Sequence, residues 1–566
     1  MSDDLLADLR RDFGDELVGL NDFARLLGLS AARAAQLRTD RNRDPEFPLT
    51  VRESERSHVH RLDQIIDWYV SSDRVGDRSE IDAVAVYRWR LAMAASSLSD
   101  GSRRDDIRGF VLAVAVVRLD DAFADLFDSG APAARLIERA EELPLARTGR
   151  RKTNSVDRPL SRDPDTLREI LERSLLDEPG SSHLMSEIDA LWRAIQPGDR
   201  HNEHFAAAID SVVASLAAEH RADPQRAESV LGLLVAVVLS AHPGNIVYEP
   251  TCGECEALLR IGRLVEAMKP AGANGVLAVG RDHYASAALI GRARLCLFGV
   301  ETSLGTPGFD SLARGGRKSV GADRILIDPG PATPPEIEDW FEQVAIHLAS
   351  NGRALIVTPL DGISDYLFRL LPPAMLVVLP VGTVAGIHGP SVLWVHDRAF
   401  APNDACRIVD LRRRPAPDEA LESRLASFAE AVGHTEPDRL LTAVDLLAPL
   451  SEILPAQAWI DEIDVEDLPG KITELAEGPI RELDEQVTLA ENRAWALWLA
   501  TELERLIDGN DPNPAASRGR SKQPAKSPDG VLTDDSTEEA RRVLRRLVDG
   551  LAGERRGRRG RRPGRG

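Results

Sequence analysis

Cysteine is scarce: four residues in a chain of 566. That is too few to frame a disulfide scaffold, which agrees with a reducing compartment. Long apolar runs are missing as well. No segment approaches the roughly 18 consecutive apolar residues of a membrane span. The opening stretch MSDDLLADLRRDFGDE is too acidic and too polar for a secretory signal, so the expected location is the cytoplasm. Positive charge is in the minority, with 70 Lys and Arg against 91 Asp and Glu and a net charge of -21. Spread evenly, that balance would repel nucleic acid, but binding follows local patches. One patch is plain: ERRGRRGRRPGRG at residues 554–566 carries seven arginines against one glutamate. What remains is an ordinary globular composition, 43% hydrophobic and 28% charged, long enough for about three or four domains.

The first domain is expected at residues 1–75. Residues 19–38, GLNDFARLLGLSAARAAQLR, place an apolar-periodic helix before Gly28-Leu29-Ser30 and a short second helix after it. Gly28 suits a left-handed turn and Ser30 a helix N-cap, the spacing of a helix-turn-helix. Arg33, Gln36 and Arg38 would then project from the outer face, where they meet base edges and phosphates of duplex DNA. The same spacing also suits a plain helical hairpin. The following DPEFPLTV and HVHRLDQIIDWYVSS resemble the winged tail of MerR-like or excisionase-like DNA-binding modules.

Residues 80–220 are expected to be largely helical, with the polar run ARTGRRKTNSVDRPLSRDPD as an internal loop. Residues 221–400 change character. Short β-branched runs, NIVYEP, GVLAVGRD, ARLCLFGV, DRILIDPG, GRALIVTP, AMLVVLP and SVLWVHD, alternate with helical stretches. That alternation predicts a mostly parallel sheet covered on both faces, with ligands beyond the carboxyl ends of its strands. The turn-rich VGTVAGIHGP between the last two runs predicts an antiparallel hairpin at the sheet edge.

Four strand ends carry candidate chemistry. Glu249-Pro250-Thr251-Cys252-Gly253 closes the first strand with a glycine-bearing turn, where backbone N–H groups can approach a nucleotide-like ligand. Asp282 ends the second strand, where a carboxylate can accept both ribose hydroxyls. Asp310 follows in GTPGFDSL, where it can hold an adenine amino group, and Asp328 ends a later strand in RILIDPGPA. Together these describe an adenosyl-cofactor site. The pair Cys252 and Cys255 also admits two other readings, a redox dithiol at a helix N-terminus and a zinc half-site.

Residues 205–400 resemble the N-6 adenine DNA methylase family, the modification subunits of type I restriction systems and their relatives. VYEPTCGECEALL is similar to that family's cofactor loop, GRDHYASAALIGRARLCLFGV to its second-strand motif, and FDSL to its Gly-Asp-Ser/Thr-Leu. DRILIDPGPA stands where the family carries Asn-Pro-Pro-Phe, and HLASNGRALIVTPLDGI and LPVGTVAGIHGPSVLWV continue the match. The resemblance extends to an N-terminal helix-turn-helix and to AVDLLAPLSEILPAQAW, similar to a segment that follows the methylase domain. It implies an α/β fold, a Rossmann-like S-adenosylmethionine-dependent methyltransferase sheet with an N-terminal winged or helix-turn-helix module and helical flanking regions. It implies S-adenosylmethionine as cofactor, Glu249, Thr251, Gly253, Asp282 and Asp310 as its contacts, and Asp328-Pro329-Gly330-Pro331 as the catalytic loop. Cys252 then occupies the small buried position of the cofactor turn, and Cys255 a position where the family prefers glycine.

The departures bear on activity. Asp328 keeps an acceptor for a target amino group, but Gly330 replaces a stiff proline and Pro331 replaces a ring that would stack on a flipped base. Glu256 would place a negative charge near the cofactor's carboxylate. The expected activity is DNA association with weak or absent methylation; the alternative is an active adenine-specific DNA methyltransferase of a restriction-modification-like system. Residues 401–508 are expected to be helical and to offer a partner-binding surface. A Pro- and Ser-rich linker is expected at 509–535, a short helix with the capping box Ser536 to Glu539 at 536–553, and at 554–566 a tail whose arginines can hold nucleic-acid phosphates.

Overall fold

The computed structural model describes residues 10–11, 14–15, 17–19, 52–54, 57–71, 83–98, 103–143, 156–174, 178–198, 200–218, 224–305, 308–312, 319–384, 387, 389–399, 405–412, 419–455, 459–464 and 467–477. The chain divides into two compact units, Met1–Pro469 and Gly470–Gly566. The second is described only over the end of helix Leu468–Glu477. Arg33, Gln36, Arg38, the linker, the capping-box helix and the Arg-rich tail all lie outside the described residues.

Near the N-terminus, β1 (Leu17–Gly19), β2 (Arg52–Ser54) and β3 (Ser57–Arg61) form an antiparallel sheet of order β1-β3-β2. Helix α1 (Leu62–Ser71) follows β3 directly. Its Leu62, Ile65, Ile66 and Trp68 are buried, an apolar stripe at helical spacing.

A layer of helices comes next: α2 (Ala83–Leu98), α3 (Arg104–Arg118), α4 (Pro164–Arg173), α5 (Glu178–Ala194) and α6 (His201–Ala218). Helix α3 is buried continuously from Ile107 to Arg118, because its FVLAVAVV run is apolar all round and such a helix must lie inside its layer. Asp163 caps α4 by accepting from the Thr166 N–H, with Pro164 in the first turn.

Helix α7 (Pro224–Leu239) leads into the main sheet: β4 (Ile246–Glu249), α8 (Glu256–Met268), β5 (Leu277–Gly280), α9 (Ala285–Leu297), β6 (Glu301–Ser303), β7 (Ala322–Ile327), α10 (Pro334–His347), β8 (Leu348–Pro359), β9 (Met375–Leu379) and β10 (Ser391–Asp397). Strand order is β6-β5-β4-β7-β8-β10-β9, and only β10 runs against its neighbours among these seven. Order reverses between β4 and β7, the switch point of a doubly wound sheet. One antiparallel strand, β10, is thus inserted between the parallel strands β8 and β9. Helix α9 joins the two layers, since its Leu289, Ile290, Ala293 and Leu297 belong to the core of the helical layer.

Three expectations need correction. The run ARLCLFGV, expected as a strand, instead forms the end of helix α9, and the strand follows it as β6. The hairpin β9–β10 exists, with Leu376 opposite Trp394, but it does not end the sheet. Strand β11 (Cys406–Asp410) adds parallel to β9, and β12 (Trp459–Ile463) adds antiparallel to β11. Every residue of β9, MLVVL, is therefore buried, as a strand covered on both sides requires. The same two strands interrupt the region expected to be helical at 401–508. Helix α11 (Leu421–Ala431) lies between them and sends Leu425 and Phe428 into the core over the sheet.

The opposite edge, β6, is shielded by the loop before α4. The Asp157 N–H donates to the Thr302 carbonyl (2.7 Å), and the Leu304 N–H donates to Asp157 Oδ2 (2.8 Å). Arg292 holds that loop by donating to Asp163 Oδ2, Thr166 Oγ1 and the Arg158 carbonyl. Covering an edge in this way removes a template for unwanted strand pairing. Among the described residues no helix is long and apolar enough to cross a membrane.

Candidate functional site

Strand β4 runs apolar through Val247 and Tyr248 and ends at the buried Glu249. The turn that follows places Gly253 at φ +50° and Cys255 at φ +59°, both in the left-handed region where a side chain costs about 1 kcal/mol. Gly253 meets that demand without strain, whereas Cys255 carries a side chain in the same conformation. Cys255 is tolerated because its thiol fills a fitted space: a Cβ on Gly291 would sit 2.5 Å from its sulfur, and a Cβ on Gly280 would sit 2.9 Å from that of Cys252. A hydrogen bond with Cys252, together with burial, pushes the Cys255 thiol well above its ordinary value.

The turn is fastened from several sides. The Cys252 N–H donates to the Arg281 carbonyl (3.0 Å) and the Cys255 N–H to the Cys252 carbonyl (2.6 Å). Asp282 accepts from the Gly253 N–H through Oδ2 (2.8 Å) and from the Tyr284 N–H through Oδ1 (2.7 Å). The carboxylate expected to meet a ribose thus also holds the glycine turn, and each of its oxygens keeps a further lone pair. Thr251 Oγ1 accepts from the Asp328 N–H (3.1 Å) and so ties the turn to the loop after β7. Ser311 Oγ donates to the Pro250 carbonyl (2.9 Å), while Asp310 Oδ1 accepts from the Leu312 N–H (2.9 Å).

These strand ends and the facing helices enclose a cleft of about 1300 Å³. Glu249, Thr251, Gly253, Asp282, Asp310, Asp328, Pro329, Gly330 and Pro331 all line it. Exposed aromatics stand at its wall: Tyr284, 64% exposed, and Phe309, 45% exposed. Glu249 is the least ordinary group, because its Oε2 is buried without a hydrogen-bond partner among the described residues. Burial, with the charges of Cys252, Asp328 and Asp282 nearby, holds its carboxyl well above the usual range. Burial also raises Asp328, whose Oδ1 accepts from the Gly330 N–H (3.1 Å).

The loop after β7 differs from expectation in one respect. Gly330 has φ +63°, and its carbonyl accepts from the Ala332 N–H (2.8 Å). The glycine is a requirement of this backbone rather than only a loss of stiffness, since proline is fixed near −65°. Thr333 and Glu336 then form a capping box that starts α10.

The expectation for Glu256 is also corrected. Its carboxylate receives Arg260 Nε (2.7 Å) and Arg294 Nη2, and Arg294 also binds Asp210 on α6 (2.7 Å). Burial opposes its ionisation, but the two guanidinium groups outweigh it and hold Glu256 at about 2. It is a neutralised strut rather than a free charge facing a ligand. Glu254 is likewise held, its carboxylate gripped at both oxygens by Arg108 of α3 (2.7 Å to Oε1). The sequence alone does not reveal these clamps from the helical layer. The available signal is Arg108 itself, a charge set between Ile107 and Phe110 in an apolar helix, since such a charge needs a partner.

No protein-family model matches the chain, and no curated protein matches it. Among solved structures, it is similar to a modification subunit of a putative type I restriction enzyme from Vibrio vulnificus, at 14% identity over 67% of this chain and 95% of that one, with a TM-score of 0.43. It is similar to the methyltransferase subunit of the type I restriction-modification system from Streptococcus thermophilus, at 14% identity over 69% and 97%, with a TM-score of 0.42. A third, from a study of complex assembly and conformational transition in the type I R-M system, is 16% identical over 76% and 99%, with a TM-score of 0.45.

Proposed function

We propose that this chain is a DNA-associated protein of the N-6 adenine DNA methylase type that binds S-adenosylmethionine at the carboxyl ends of β4, β5 and β7 and transfers methyl groups weakly or not at all. The observation that carries the cofactor reading is the left-handed Gly253 turn pinned to Asp282 at the switch point of the sheet. The residues fit the group. Gly253 lets the backbone approach it closely, Asp282 and Asp310 retain acceptor capacity for hydroxyl and amino groups, and the orphaned Glu249 Oε2 awaits a donor. Thr251 would keep the turn and the Asp328 loop in one register. When bound, the cofactor supplies an electrophilic methyl group on a sulfonium centre. The chain's part in transfer is to orient a target amino group, with Asp328 as the hydrogen-bond acceptor that aims its lone pair. Pro331 gives no ring to hold a flipped base, which supports weak turnover. The second reading, an active adenine-specific methyltransferase, is favoured by the retained acceptor Asp328 at the cleft.

Calorimetric titration with S-adenosylmethionine tests the cofactor reading. Binding is expected, and Asp282→Ala should weaken it by at least about tenfold, because it strips an acceptor from the ligand and also frees the Gly253 turn. Unchanged affinity in the variant would overturn the assignment of Asp282.

The DNA part of the proposal rests on the helix-turn-helix pattern through Arg33, Gln36 and Arg38, with the Arg-rich tail as a sequence-independent phosphate anchor. A protein partner bound through the C-terminal helices belongs to the same reading. Replacing Arg33 and Arg38 together by alanine should weaken binding to duplex DNA. It should also lower the slope of log affinity against log salt by about 2, one for each phosphate that is no longer neutralised. An unchanged slope in a fluorescence-anisotropy salt series would remove this module from the interface.

A further inference from the structure

The two walls of the cleft are charged differently. Its lining includes nine carboxylates and four guanidinium groups. On the helical side, Arg108 is bound to Glu254 and Asp105, Arg294 to Asp210 and Glu256, and Arg260 to Glu256. That wall is locally compensated. On the sheet side Glu249, Asp282 and Asp328 converge, and their hydrogen-bond partners among the described residues are backbone N–H groups. Glu249 is 4% exposed and lines the cleft, and its Oε2 has no partner among the described residues. A buried acceptor of this kind, backed by two further carboxylates, is costly unless something positive or a hydrogen-bond donor meets it.

We propose that this cleft selects its ligand by charge, taking the sulfonium form, S-adenosylmethionine, in preference to S-adenosylhomocysteine, the thioether that carries one positive charge fewer. The inference rests on the cofactor reading above and adds to it a direction of preference. A site that prefers the methylated form stays loaded in the presence of its demethylated product, and so reports the methyl-donor supply even where turnover is slow. The preference follows from elementary electrostatics. The two ligands share the adenosine and amino-acid parts, so uniform contacts to those parts cancel in the ratio of affinities. The positive sulfonium centre remains, and it interacts with Glu249, Asp282 and Asp328 in a medium of effective dielectric about 20.

A consequence separates charge selection from shape selection. Burial, and then the neighbouring Cys252, Asp328 and Asp282, hold the Glu249 carboxyl well above its ordinary range, against the Leu258 backbone N–H, which lowers it. A cation brought to this wall favours ionisation, so its binding should release protons and strengthen as pH rises. The thioether should release fewer.

The experiment is isothermal titration of the full chain with S-adenosylmethionine and with S-adenosylhomocysteine, each in two buffers of different ionisation enthalpy. Expected is a preference of about tenfold or more for the sulfonium form, with greater proton release on its binding. Glu249→Gln keeps the size of the side chain but cannot ionise, and should bring the two affinities closer and remove the extra proton release on binding of the sulfonium form. If that variant does not fold, the ratio measured on the unmodified chain decides alone. Equal affinities, or tighter binding of the thioether, overturn the charge selection and leave the cofactor reading standing. Binding of neither ligand overturns both.

Discussion

Arg294→Met should cost about 3–5 kcal/mol of stability, the price of leaving buried carboxylates without their counter-charge. Arg294 is 7% exposed and lies between Asp210 of α6 and Glu256 of α8, and it also donates to the Glu254 carbonyl (3.1 Å). One side chain thus joins the helical layer, the glycine turn after β4 and the first helix of the sheet. Methionine matches much of its volume, so the loss isolates the charge and its hydrogen bonds from packing. The acid limb gives a second readout. Glu256 is depressed from 4.5 to about 2 in the folded chain. A depressed carboxylate contributes stability that is full above its unfolded value and disappears as pH falls through its folded one. Its share, at most about 3 kcal/mol, should therefore vanish between pH 4.5 and 2. Urea midpoints followed by tryptophan fluorescence across that range should fall more steeply for the unmodified chain than for Arg294→Met. A stability loss below about 1 kcal/mol, or parallel acid limbs, would mean that the network is a surface pairing of little weight.

The parts of this molecule that were legible in its sequence are those written in local pattern. IVYE, LAVG, ADRILI and MLVVL read as buried strands because β-branched and apolar residues run without alternation, and each of the first three strand ends carried its glycine or carboxylate in view. The hairpin at β9–β10 was visible for the same reason, through its turn residues. Its place in the sheet was not, because adjacency in sequence says nothing about what pairs on the far side. Strands β11 and β12 are five residues each, CRIVD and WIDEI, and stand among longer helical stretches, so their pattern is too short to outweigh its surroundings. The clamps on the glycine turn after β4 were illegible for a different reason. Arg108 and Glu254 are 146 positions apart and Arg294 and Asp210 are 84 apart, and complementary charge carries no register over such distances. That is why Glu256 reads as a hostile charge in sequence and as a neutralised strut in three dimensions.

Methyl transfer to adenine in duplex DNA is expected to be at or near background for the unmodified chain, and of two single substitutions in the loop after β7 only one should raise it. Gly330→Pro cannot restore activity. The residue sits at φ +63°, which proline cannot adopt, and its N–H donates to Asp328 Oδ1, which proline cannot supply. Both faults displace the acceptor that the reaction needs, and the strain should cost more than about 1 kcal/mol. Pro331→Phe leaves Gly330 in its left-handed conformation and adds a ring beside the cleft. Stacking on a base is worth about 1–3 kcal/mol, so transfer in a tritium-labelled methyl assay should rise by about 5- to 150-fold if the missing ring limits the reaction. Robust methylation by the unmodified chain, abolished by Asp328→Ala, would reverse the conclusion. In that case the left-handed glycine already presents Asp328 correctly, and the base is held by another ring at the cleft wall, such as the exposed Tyr284 or Phe309.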